Sequence, residues 1–261
     1  MGELAPRHIP LEGACNFRDL GGYQLACGGR LRHGLLYRSD HLGGLTSADR
    51  ERLRELGIAS VVDLRRQDER DEAPDRLGNV GIREIHLPVE IAGAQVTSIR
   101  KEVIAGRVDE AGARACLLQA NQAFVSHSSD VFSRFLHVLL EHERMPLVFH
   151  CTAGKDRAGY AAALVLLLLG APRHVVLADY LATNRFNAQF RERLMADLQE
   201  DEGVAARRAA VNALMQVEER YLGAALTLIE QRHGSHEQYF TTALNFDASK
   251  QARLRELLVE S

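Results

Sequence analysis

Tryptophan is absent from the 261 residues, lysine occurs three times and cysteine four times. The cysteines, Cys15, Cys27, Cys116 and Cys151, are widely spaced, with no C-x-x-C pair and no zinc-type spacing. That excludes a sequence-encoded zinc ribbon and predicts free thiols in a reducing compartment. No uncharged stretch reaches the roughly 18–20 residues of a membrane span. The longest, Ala158 to Pro172, reads as a buried helix. A net charge of −3 gives no case for nucleic acid or membrane binding. The opening Met1-Gly2-Glu3-Leu4-Ala5-Pro6 has neither a basic-then-apolar leader nor the Ser or Thr at position 6 of a myristoylation site. A cytoplasmic location is expected, with export by a route that needs no signal peptide left open. No Pro/Gly/Ser-rich linker, internal repeat or low-complexity segment divides the chain, so a single domain over residues 1–261 is expected.

What is present is an ordinary globular composition, 46% apolar and 26% charged, long enough to bury a sizeable core. Gly34 to Ser39 reads as a short strand. Thr46 is a helix N-cap ahead of Ser47 to Leu56, and Gly57 stops that helix. Ile58 to Leu64 is a Val- and Ile-rich buried strand ending in Asp63-Leu64-Arg65-Arg66. A charged stretch, Gln67 to Arg76, precedes a strand over Ile82 to Val89, and residues 92–112 are poorly patterned. Ser128 or Ser129 caps a helix whose apolar face holds Val131, Phe132, Phe135, Leu136, Leu139 and Leu140. Leu147 to His150 is another strand. Beyond Ala158 the chain reads as helix to its end, with breaks at Gly170-Ala171-Pro172, Gly203 and Gly234. The alternation predicts an α/β fold: a central, mostly parallel sheet flanked by helices, with extra C-terminal helices.

Chemistry concentrates where the strand Leu147-Val148-Phe149-His150 meets the loop Cys151-Thr152-Ala153-Gly154-Lys155-Asp156-Arg157 and a strongly apolar helix. Backbone N–H groups at such a junction converge on one point, and the helix N-terminus adds positive charge there. Gly154 supplies backbone freedom. Thr152, Ala153, Gly154 and Lys155 would thus cradle phosphate, with Arg157 holding two of its oxygens. Positive charge favours a thiolate, and a thiolate facing a phosphate cradle is a nucleophile for phosphorus. A nucleotide-binding P-loop is excluded, because Phe149 stands where its first Gly belongs and no Ser or Thr follows Lys155. Of the 32 basic residues 29 are arginine, which makes a lysine inside this loop notable. Its compact ammonium can reach a second phosphate.

The segment resembles the H-C-x5-R signature of cysteine-dependent phosphatases. Its H-C-x-x-G-K-D-R-x-G form is similar to a bacterial family of atypical protein-tyrosine/lipid phosphatases. Asn16-Phe17-Arg18-Asp19-Leu20-Gly21-Gly22 is similar to that family's N-F-R-D-x-G-G opening. Leu36-Tyr37-Arg38-Ser39-Asp40-His41-Leu42 resembles its Y-R-S-x-x-L segment, and Val62-Asp63-Leu64-Arg65 its D-L-R strand end. Gly234-Ser235 with Tyr239-Phe240 resembles its tail. The resemblance implies phosphomonoester hydrolysis without cofactor or metal. Cys151 attacks phosphorus, Arg157 binds the phosphoryl group, His150 supports the loop, and a phosphocysteine is then hydrolysed. The implied substrates are phosphotyrosine first, then phosphoserine/threonine and phosphoinositides. Arg18, Asp19, Arg38 and Asp40 either line the site or pair with one another.

Two carboxylates compete for the role of general acid, since a chain without Trp lacks the W-P-D acid loop of the best-known tyrosine phosphatases. Asp156, inside the loop, is favoured over Asp63, at a strand end. Ala158 departs from the family, which usually has Ser or Thr there to assist departure of the sulfur. A phospho-binding pseudophosphatase and a rhodanese-like sulfurtransferase remain as rival functions. Residues 186–217 form either a mobile lid over the loop or a solvated helical cap. Cys15 is either a packed thiol or a partner for Cys151 under oxidation.

Overall fold

The computed structural model describes residues 7–26, 28–78, 81–90 and 96–260. The opening hexapeptide and Cys27 lie outside that set. Eight short strands are seen among the described residues: β1 (Arg7–His8), β2 (Arg18–Asp19), β3 (Arg30–Leu31), β4 (Leu36–Ser39), β5 (Ser60–Asp63), β6 (Arg83–His86), β7 (Leu147–His150) and β8 (Val259–Glu260). Six of them form one sheet in the order β1-β2-β4-β7-β5-β6. β4, β7, β5 and β6 run parallel, while β1 and β2 join antiparallel at one edge. The expected mostly parallel α/β sheet is therefore the fold. β7 lies at its centre with Phe149 level with Arg38 on one side and Val62 on the other.

Helix α1 (Ser47–Glu55) follows β4, and α2 (Gln67–Glu72) follows β5. Between β6 and β7 lie α3 (Val96–Ile104), α4 (Glu110–His127) and α5 (Ser129–Val138). After β7 come α6 (Asp156–Leu168), α7 (Arg173–Phe186), α8 (Ala188–Ala196), α9 (Val204–Met215) and α10 (Glu219–His233). The short α11 (His236–Gln238) leads into a π-helical stretch, Tyr239–Ala243, and α12 (Ala248–Leu258).

Strand periodicity sorts the core. Leu147 and Phe149 of β7 point into the larger cluster with Phe135, Leu136 and Leu164, whereas Val148 points the other way, to Phe17, Leu53 and Val61. α6 is apolar all round and buried on nearly every side, as a helix sandwiched in a core must be. A third cluster, built from Val103, Leu117, Val211, Leu214 and Tyr221, joins α3, α4, α9 and α10.

Three segments differ from the sequence reading. The poorly patterned 92–112 region contains α3, whose Val103 is fully buried against the third cluster. Tertiary packing fixes this helix where periodicity was weak. The charged stretch after Arg66 folds as α2 and turns Glu69 inward. The chain ends not in helix but in β8, which pairs with β3 as a two-stranded ribbon.

The expected cap at Thr46 is a full capping box. Thr46 accepts from the Asp49 N–H and Asp49 accepts from the Thr46 N–H, while the Asp49 carboxylate also holds the N–H groups of Glu12 and Gly13. Thr46→Ala should lower unfolding stability by about 1 kcal/mol, read from the urea midpoint.

Candidate active site

β7 carries the chain to His150 and Cys151, both buried, and α6 begins five residues later at Asp156. Between them every carbonyl from Thr152 to Lys155 is taken by a donor outside the loop. Thr152 O accepts from His41 N at 3.1 Å. Ala153 O accepts from Asn16 Nδ2 at 3.2 Å and Asn187 Nδ2 at 2.9 Å. Gly154 O accepts from Asn16 Nδ2 at 3.0 Å and Arg38 Nη2 at 2.7 Å. Lys155 O accepts from Arg38 Nη2 at 3.4 Å and Gly159 N at 2.9 Å. A peptide plane puts its N–H opposite its carbonyl, so anchoring the carbonyls outward turns the N–H groups toward the hollow at Cys151. Gly154 has φ +62°, and a Cβ there would come within 2.6 Å of Asn16, Ser39 and Asp40.

The donors are themselves held. Arg18 and Arg38, both fully buried, share the carboxylate of Asp179 on α7. Arg18 also donates to Thr183 Oγ1 at 3.3 Å and to the side-chain oxygen of Asn16. Burial and the neighbouring Arg38 pull the Arg18 pKa down to about 10, against the pull of Asp179. Asp40 accepts from Asn16 N at 3.0 Å and from the Cys15 thiol at 3.1 Å. Burial and Asp40 push the Cys15 pKa far up, so Cys15 is a packed thiol donor. The family-like Arg18, Arg38 and Asp40 thus support the loop from behind, while Asp19 caps the Gly21 and Gly34 N–H groups.

Arg157 meets a partner that sequence reasoning missed. Glu69 of α2 accepts from Arg157 Nη1 at 2.6 Å and Nη2 at 2.7 Å. The Thr152 hydroxyl donates to the same carboxylate and accepts from Arg157 Nη2 at 3.2 Å. Leu64 O takes another Nη1 contact at 3.4 Å. Four of the five guanidinium donors are so engaged, leaving Nε–H. Burial alone would raise the Glu69 carboxyl; Arg157 and Thr152 overcome it and hold it at about 2. The only foreshadowing was an acidic residue four positions after Arg65 in a charged run.

Asp63, the second candidate acid, is committed elsewhere. It is paired with Arg65 at 2.8 Å and Arg70 at 3.1 Å. Arg65 also reaches Asp75 at 2.9 Å, and Asp75 lies 2.9 Å from His150 Nε2. Among the described residues, Asp63, Asp75 and His150 are the one group with metal-ligand spacing, and the Arg65 guanidinium already bridges its two carboxylates. Burial opposes a charged His150, but Asp75 and then Asp63 lift its pKa above the usual value. Asp75 is held at about 2: burial would raise it, but His150 and Arg65 outweigh that. This knot fixes the ends of β5 and β7 beneath the loop.

A cavity of about 450 Å³ opens over Cys151. Thr152, Ala153, Lys155, Asp156 and Arg157 line its polar end; Asp63 is not among the lining residues. Its far wall is apolar, with Ile99, Leu117, Phe124, Leu214 and Met215. Lys155 does not extend into the hollow. Its Nζ donates to Leu214 O at 2.9 Å and Gln216 O at 3.4 Å, at the negative end of α9, and pairs with Asp156 Oδ2 at 2.9 Å. Residues 186–217 thus supply α8 and α9 as a roof tied to the loop through Lys155.

A family model described as the tyrosine phosphatase family matches residues 9–260. A putative tyrosine-protein phosphatase of Cupriavidus necator is 33% identical over 90% of this chain and 83% of its own length. The triple specificity protein phosphatase PtpB of Mycobacterium tuberculosis is 32% identical over 92% of this chain and 94% of its own. Among solved structures, TpbA of P. aeruginosa matches with a TM-score of 0.35 and 17% identity, covering 87% of this chain and 98% of that one.

Because Glu69 ionises at about 2 in the fold against 4.5 as a free side chain, its contribution is complete above about pH 4.5 and is lost as pH falls toward 2. Glu69→Gln should cost about 3–5 kcal/mol at pH 7 by stranding buried Arg157. The same variant should show a flatter loss of stability between pH 4.5 and 2 in denaturant titrations.

Proposed function

This chain belongs to the tyrosine phosphatase family and hydrolyses phosphotyrosine, and on that premise we propose that Cys151 is the nucleophile of a two-step, cysteine-based reaction. The Cys151 thiolate attacks phosphorus while the ester P–O bond breaks and the leaving oxygen takes a proton from Asp156. Water then attacks the phosphocysteine, gives its proton back to Asp156, and the S–P bond breaks to return the thiolate. Arg157 and the loop N–H groups of residues 152–157 hold the phosphoryl oxygens through both steps. A phosphate entering the loop displaces the long Leu64 or Thr152 contact of Arg157, while Glu69 keeps the guanidinium plane aligned. His150 supports the loop from below.

The observation that carries this reading is the outward anchoring of four consecutive carbonyls between Cys151 and Arg157, beside a largely apolar cavity. An aryl ring suits that wall. Asp156 is preferred over Asp63 because it lines the cavity whereas Asp63 is spent on Arg65 and Arg70. The substrate range is proposed to extend to phosphoserine/threonine and to phosphoinositides, a breadth consistent with the triple specificity named for the mycobacterial relative. The setting is proposed to be cytoplasmic, with a single domain across residues 1–261 and with 186–217 acting as a lid. No described helix is long and apolar enough to cross a membrane.

Cys151→Ser should abolish turnover while phosphate still binds, measured by product release and by phosphate-induced stabilisation against heat; turnover should survive excess EDTA. Substantial activity in that variant would sink the mechanism, and a parent chain that binds but never turns over is the pseudophosphatase.

Ala158 cannot give the sulfur a hydroxyl hydrogen bond, and the Thr152 hydroxyl proton goes to Glu69. Phosphocysteine should therefore accumulate with a good leaving group. Stopped-flow assays should show a burst of aryl alcohol. Ala158→Ser should shrink that burst and raise kcat by about tenfold or more, the worth of one charge-assisted hydrogen bond.

A further inference from the structure

Two buried polar atoms on adjacent elements have no hydrogen-bond partner among the described residues: Tyr180 Oη on α7 and Asp156 Oδ1 at the start of α6. Tyr180 is fully buried. Its ring packs closely on the first turn of α6 because position 159 is glycine. A Cβ there would come within 2.7 Å of Tyr180 Cδ2 and 2.8 Å of Cε2. The ring is thereby held within one turn of Asp156, and Tyr180 is not among the residues lining the cavity.

Burial first, and then the neighbouring Asp156 carboxylate, keep the Tyr180 hydroxyl protonated far above the usual tyrosine range. It is a donor, and Asp156 is the acceptor beside it. The other oxygen, Asp156 Oδ2, is 2.9 Å from Lys155 Nζ. A phenylalanine would fill the same space without an unpaired buried hydroxyl, so the oxygen has a cost that needs a return.

We propose that Tyr180 is a positioning residue for the leaving-group acid: its hydroxyl donates to Asp156 Oδ1 and, with Lys155 on Oδ2, aims the carboxyl at the leaving oxygen. Each carboxyl oxygen keeps a further site, so a proton has a place on Asp156 while both oxygens are held. The inference rests on the reading of Asp156 as the acid. It adds to the loop supports already described a group that acts on proton delivery and leaves phosphate binding alone.

Tyr180→Phe removes one oxygen and keeps the ring. The full-length variant is assayed by kcat/KM, which reports events up to the phosphocysteine, on an alkyl phosphate such as phosphoserine and on p-nitrophenyl phosphate. The expected loss is roughly tenfold on the alkyl ester, a share of the 10²–10⁴ that a positioned acid contributes. On the nitrophenyl ester it is under about twofold, because a good leaving group departs without the acid. In an Asp156→Asn background, Tyr180→Phe should cause no further loss on either substrate. Equal losses on both esters, or an undiminished loss in the Asp156→Asn background, would show a purely structural tyrosine and overturn the proposal. If Asp156→Asn is selective for the alkyl ester and Tyr180→Phe is not, only the role of Tyr180 fails. If Asp156→Asn is itself unselective, the acid assignment fails and the proposal with it.

Discussion

A loop that turns its N–H groups inward must find partners for its carbonyls elsewhere, and in this chain that requirement organises everything around Cys151. The side-chain partners are Asn16, Arg38 and Asn187, drawn from three distant parts of the sequence. Two buried arginines would be ruinous without a counter-charge, and Asp179 supplies it to both. Its helix, α7, also carries Thr183 beneath Arg18 and ends at Asn187 on Ala153 O. One helix with no residue in the cavity lining thus sets the shape of the loop from Cys151 to Arg157.

A second consequence concerns charge. Arg157 is neutralised by Glu69, Lys155 is drawn to Asp156 and the end of α9, and Arg65 is enclosed by Asp63 and Asp75. The cationic side chains at the polar end therefore arrive already paired. In the proposed reaction much of the unspent attraction for a phosphoryl dianion would come from the loop's own N–H groups and the start of α6. Such donors need little reorganisation when charge builds up at phosphorus, the condition under which electrostatic stabilisation is most effective. The site also sits at the carboxyl ends of parallel strands, where β4, β7 and β5 stop in register at Ser39, His150 and Asp63.

Local signals carried most of the fold and the loop proposed to react. Leu147 to His150, Ile58 to Leu64 and the Thr46 cap are readable because strand apolarity and capping chemistry are encoded within a few residues. The loop from Cys151 to Arg157 is readable because its chemistry is contiguous. Glu69, Asp75, Asp179 and Tyr180 were not legible. Glu69, Asp75 and Asp179 pair with residues between 10 and 161 positions away, Tyr180 packs on Gly159 across a helix interface, and in sequence each looks like an ordinary charged or aromatic residue on a helix or a turn. Lys155 was legible as exceptional, but the partner it chose, the carbonyl end of α9, exists only once the cap has folded over the loop. The α3 helix escaped for a similar reason, since Val103 has its burial partners in α4 and α9.

The two glycines of the loop and first turn have a bearing on how this enzyme can change over evolutionary time. Gly154 is hemmed by Asn16, Ser39 and Asp40, and Gly159 by the ring of Tyr180. A side chain at Gly154 would strike the backbone of Ser39 and Asp40, which no substitution there removes, and one at Gly159 requires Tyr180, far away in sequence, to change with it. The chemical step is thus frozen from the outside, by packing behind the loop. The apolar wall of Ile99, Leu117, Phe124, Leu214 and Met215 is under no such restraint, since exchanges among apolar side chains of similar volume are inexpensive. Descendants of such a chain can diversify in what they dephosphorylate one substitution at a time, while the means of dephosphorylation is inherited whole.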